Sequence, residues 1–184
     1  MLKGNYWYLS RAAGIVAYLL LWSALFSGLL LKTKMLNPIK LSPLLPGLHQ
    51  LSTSWSLYFT VFHILLLRYD EYIKFNFEDL FVPFASTYQT FYLSFGILAS
   101  YGLVLVIAGA YLFRRKAFKF WHILTYPAFF LAWWHGFKLG TDTDAVWMQA
   151  IYWSTGGLTV YILIYRILYK LKFTLNGVRT SSEV

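Results

Sequence analysis

The chain has four histidines, His49, His63, His122 and His135, and no cysteine. A neutral imidazole donates a hydrogen bond from one ring nitrogen and offers the lone pair of the other to a metal or a donor group. The histidines form two pairs along the sequence, His63 standing at i+14 from His49 and His135 at i+13 from His122. On helices rising about 1.5 Å per residue, the members of each pair are separated by roughly 20 Å along the axis. If the two helices run in the same direction, His49 comes level with His122 and His63 with His135, giving two nitrogen donors at each of two depths. At about 100° per residue, the i+14 interval falls about 40° short of four turns and the i+13 interval about 140° short. Pro127, between His122 and His135, is the residue expected to kink or rewind its helix.

The elements that must position these rings are apolar. Of the 184 residues, 59% are hydrophobic and 12% charged, about half the charge of an ordinary soluble domain. Five apolar stretches, at about residues 9–31, 48–68, 92–113, 118–138 and 147–169, each approach the roughly 20 residues that span hydrocarbon as a helix. The expected fold is therefore an all-α integral membrane protein, a bundle of five transmembrane helices, with no soluble core large enough to hide them. The first stretch is expected to remain as an anchor, because KTKMLN after it offers no small-residue cleavage site. Gln50, Ser52, Thr53, Ser54 and Ser56 mark a face of the second helix turned toward protein or cofactor. Gly96, Ala99, Gly102 and Gly109 allow close approach of another helix to the third. Residues 70–91 mix acids with Phe75, Phe77, Phe81 and Phe84, as a shallow interfacial segment would.

Charge is distributed by side. With five spans, one face carries Lys3, Arg11, Arg68, Lys74 and Lys138 among six acids. The other carries eleven basic residues, from Lys32 to Arg179, and Glu183 as its one acid. This bias places the second face in the cytoplasm and the N-terminus outside, in a plasma (inner) membrane. The net charge of +9 is then a topology signal, and nucleic acid is not an expected partner.

At each depth, one imidazole from each helix is what bis-histidine ligation of a haem iron requires. Without cysteine, any haem is held non-covalently. A zinc site would lack the Asp, Glu or Cys that completes a tetrahedral set, and no acid lies inside an apolar stretch to serve a proton relay. Arg11, Arg68, Arg114, Arg115, Lys116 and Lys119 are candidate partners for propionates. Trp133, Trp134 and Tyr126 are candidates to pack on a porphyrin.

With YLSRAAGIVAYLLLW in the first helix, the His49/His63 spacing and the His122/His135 spacing, residues 7–170 resemble the ferric reductase-like transmembrane haem domain. That group includes NADPH oxidases and the haem-binding membrane subunit of the periplasmic methionine sulfoxide reductase system. The resemblance implies a haem-binding domain over residues 1–170 and a short cytoplasmic tail over 171–184. It also implies two non-covalent b-type haems, with His49 and His122 on the inner iron and His63 and His135 on the outer. The first of the family's six helices is lacking, and no dinucleotide fingerprint for FAD or NAD(P)H is present.

The expected function is a transmembrane b-type cytochrome, an oxidoreductase subunit that carries electrons but has no catalytic residue of its own. Its donor would be a soluble flavoprotein or a membrane quinol, and its acceptor an extracytoplasmic oxidoreductase or a small molecule. The alternatives are a stand-alone ferric reductase component, or a non-redox membrane transport or assembly protein.

Overall fold

A computed structural model of the chain describes residues 5–33, 42–70, 73–112 and 115–181. Helix α1 covers Asn5–Thr33, α2 Leu45–Arg68, α3 Phe77–Phe81, α4 Thr90–Leu112, α5 Arg115–Trp121, α6 Thr125–Leu139 and α7 Val146–Ser181. Single 3₁₀ turns stand at Ser42–Leu44 and His122–Leu124. Helix α1 packs along α2 and α4 along α6, while α1 and α6 join the two pairs and α7 closes against both.

Two described helices, α1 and α4, are long and apolar enough to cross a membrane by length and composition. The expectation of a five-helix transmembrane bundle is corrected accordingly. The hydroxyl and amide groups of α2 dilute its apolar run. The stretch 118–138 is divided into α5, a 3₁₀ turn and a 15-residue α6, and at about 1.5 Å per residue α6 is only about 22 Å long. In α7, Thr155, Gly156, Gly157 and Thr159 stand between Tyr152 and Tyr161, before Arg166 and Lys170.

Local chemistry explains several element ends. Helix α2 begins earlier than its prolines suggest, because Pro46 occupies the first turn, where a missing N–H leaves no bond unmade. Pro127 cannot supply an N–H to the turn before it, and the backbone there tightens into the 3₁₀ turn His122–Leu124, fixed by Thr125 Oγ1 donating to the His122 carbonyl. Asn76 N donates to Asp79 Oδ2 at 2.8 Å at the start of α3. Phe75 and Leu80 bury against Leu93 and Ile97, with Ile64 and Leu67 packed around them. Helix α7 runs on to Ser181, so the helix continues into the segment read from sequence as a tail.

The main core joins Tyr18, Leu21, Leu25 and Leu29 of α1 to Leu103, Phe129, Met148, Tyr152 and Ile162. Polar side chains lie among them. Ser10, Ser27, Ser52, Ser56, Ser94, Thr155 and Thr159 are buried, whereas Val16, Leu51, Val61, Leu65, Val104, Leu105, Ile164 and Ile167 are exposed. The buried hydroxyls are satisfied locally: Ser27 donates to Ser23 O at 2.7 Å, Ser94 to Thr90 O at 2.6 Å and Thr159 to Thr155 O at 2.7 Å. Small hydroxyl residues thus lie at the seams between helices and large aliphatic residues outside.

Candidate functional site: two histidine pairs

The structure places the His49 ring 6.0 Å from that of His122, centre to centre, at an interplanar angle of 69°. His63 lies 6.5 Å from His135 at 81°. The 3₁₀ turn at His122 contributes to this alignment. Three residues at about 120° instead of about 100° add roughly 60°, more than half of the roughly 100° mismatch between the two spacings.

Three of the four rings are held in the same manner. His63 Nδ1 donates to Ser10 O at 2.7 Å, His49 Nδ1 to Ala24 O at 2.7 Å and His135 Nδ1 to Tyr92 O at 2.8 Å. A carbonyl only accepts, so in each of these rings the proton is on Nδ1 and the free lone pair is on Nε2.

Each of these rings also lies on a glycine. A Cβ at Gly14 would stand 3.0 Å from His63 Nδ1, one at Gly28 3.2 Å from His49 Nδ1, and one at Gly96 2.6 Å from both Nδ1 and Cε1 of His135. The absence of a side chain is what lets helix backbone and imidazole meet. These seats are missed when glycine is read only as an aid to helix approach. Their signal is nonetheless present in matched intervals. Gly28 stands at i+14 from Gly14, as His63 does from His49, and Gly109 stands at i+13 from Gly96, as His135 does from His122.

Beside the His63–His135 pair is a cavity of about 200 Å³, lined among others by Ser10, Gly14, Thr60, Gly96, Leu103 and Tyr152. At its border, Arg11 forms an ion pair with Asp142, its Nε donating to Oδ2 at 3.2 Å and its terminal nitrogen to Oδ1. Both side chains are about one-quarter exposed. Asp142→Asn is therefore expected to lower stability by at most about 1 kcal/mol, read from thermal unfolding in detergent. A loss of several kcal/mol would show that the pair is a structural clasp.

The Arg68 guanidinium sits 5.1 Å over the Phe77 ring, and Lys119 is exposed. Arg114 lies outside the described residues, as do the side chains of Arg115 and Lys116. Trp133 Nε1 donates to Tyr152 O at 2.8 Å and its ring stacks on Phe137. Trp134 lies under the Lys138 ammonium, and Tyr126 OH accepts from Arg166 at 2.6 Å.

No protein family, no curated protein and no solved structure matches the chain. The resemblance to the ferric reductase-like haem domain is corrected on that finding together with the two membrane-length helices. The expectation of two b haems, and with it the transmembrane cytochrome, the electron-transport and iron-binding roles and the ferric reductase alternative, is corrected on the donor set. Among the described residues no group of three or more His, Cys, Asp or Glu could hold a metal ion. Each level offers two imidazoles, and two nitrogens do not specify a porphyrin.

Proposed function

We propose that this chain is a membrane-embedded binding protein whose histidine pairs, His49 with His122 and His63 with His135, each hold one small metal ion in line between two imidazole nitrogens. The separation of the rings carries the reading. Two nitrogen–metal bonds of about 2.0–2.1 Å, with about 1.1 Å from each ring centre to its nitrogen, put the centres roughly 6.3 Å apart. The rings stand at 6.0 and 6.5 Å. An ion that completes its coordination with two ligands in line needs no third protein donor. Copper(I) is such an ion, and imidazole is among its suitable ligands.

Membrane placement is supported by the exposed aliphatic surface and the buried hydroxyls. Because the chain has no cysteine, single introduced cysteines report topology without background. Asn76→Cys and Lys119→Cys should differ in their reaction with an impermeant maleimide, because α4 crosses between them.

Copper(I) titration of the detergent-purified chain tests the sites. Two equivalents per chain are expected, falling to one in His63→Ala or His135→Ala and to one in His49→Ala or His122→Ala. Stoichiometry that ignores all four substitutions, or no binding by folded protein, would contradict the reading.

A further inference from the structure

We infer that Gly109 and the Leu105 carbonyl form a fourth seat, toward which the His122 ring turns its Nδ1 when the inner pair is occupied, its centre keeping its distance from His49. The inference rests on reading the pairs as donor sites and adds to it a specific positioning device.

The three bonded histidines share one rule. Each ring lies on a glycine, and its Nδ1 donates to the carbonyl four residues earlier: Gly14 with Ser10, Gly28 with Ala24, Gly96 with Tyr92. The reason is stereochemical. In a helix the carbonyl of residue i already accepts the N–H of residue i+4 and keeps a second lone pair. A side chain at i+4 would cover the approach to that lone pair, and glycine leaves it open to a neighbouring helix.

Applied to α4, the rule yields one more position. The i+13 interval from His122 to His135 is matched on the antiparallel neighbour by the same interval from Gly96 to Gly109. Gly109 is buried, α4 packs against the 3₁₀ turn that carries His122, and four residues before Gly109 is Leu105. Yet among the described residues the buried Nδ1 of His122 has no hydrogen-bond partner. A buried ring nitrogen left without a hydrogen bond is unfavourable. His122 is also the histidine that stands on a 3₁₀ turn, whose poorer hydrogen bonds make it the easier backbone to adjust. A metal bound between His49 and His122 would fix Nε2 of His122, place the proton on Nδ1 and turn that proton toward the acceptor the rule supplies.

Nitrogen NMR of the full chain in detergent, with ring-labelled histidine, tests this. In metal-free protein, His49, His63 and His135 should show slowly exchanging Nδ1–H signals and His122 should not. Two equivalents of copper(I), which is diamagnetic, should add the fourth. Gly109→Ala should abolish that fourth signal and lower copper affinity at the inner pair about 10–100-fold, leaving the outer pair unchanged. If copper binds at both pairs while His122 Nδ1–H keeps exchanging with solvent, or if Gly109→Ala binds as the parent does, the seat is wrong and the donor sites stand. If copper does not bind through His122, both are wrong. The parent spectrum decides the point even if the variant does not fold.

Discussion

Replacing Gly96 with alanine is expected to weaken binding at the His63–His135 pair while sparing the other. The added Cβ would lie 2.6 Å from two atoms of the His135 ring and 2.9 Å from a third. Nothing at those distances is a flexible chain end. The ring must leave its place or the helices must part, at about 1–3 kcal/mol for overpacking. The bond from Nδ1 to Tyr92 O then goes too, at about 0.5–1.5 kcal/mol more. Copper affinity at the outer pair should fall at least about 10–100-fold, the usual cost of losing the group that orients a histidine ligand. The same substitution at the other two seats should follow the distances, with Gly14→Ala milder at 3.0 Å and Gly28→Ala mildest at 3.2 Å. Isothermal titration of the three variants gives the order. Equal affinities across the series would mean that the glycines do not set the rings.

The second large effect concerns the packing that holds the levels apart. Phe129 lies between His122 and His135 in sequence, is completely buried, and stacks on Tyr18 at 6.1 Å. Tyr18 in turn hydrogen-bonds Thr155 of α7, so the one ring stands where α1, α6 and α7 meet. Phe129→Ala is expected to cost about 3–5 kcal/mol through the cavity it leaves. Phe120→Ala, at a ring 72% exposed, should cost within about 0.5 kcal/mol. Reversible unfolding in mixed micelles measures both. A Phe129→Ala loss under about 1 kcal/mol would show that the interior relaxes around the gap and that the levels are not held by this contact.

How much of this was legible in the sequence depends on what each residue reports. Apolar period and length located the helical stretches well, because those properties are local. They overstated the number of membrane-length helices, because a run such as 118–138 looks continuous until Pro127 is given its backbone consequence. The histidine spacing carried depth, since rise per residue is nearly constant, but it carried no identity for the bound group. Two imidazoles are compatible with several occupants. The glycine seats were readable in principle, because the glycine intervals repeat the histidine intervals on the facing helices. They were missed because a glycine in an apolar helix has a more general explanation, close helix packing, and the carbonyl four residues earlier has no side-chain signature. Arg11 stood out in sequence as an anion partner. It is paired instead with Asp142, 131 residues away, a contact that only the fold brings together.

X-ray absorption at the copper edge tests the central claim most directly, because it counts the ligands around the ion. With two equivalents of copper(I) bound, two imidazole nitrogens per copper are expected at about 2.0 Å with no nearer third donor, and His135→Ala and His122→Ala should each remove one such site. Three or more protein donors per copper, or a spectrum unchanged by those substitutions, would contradict it.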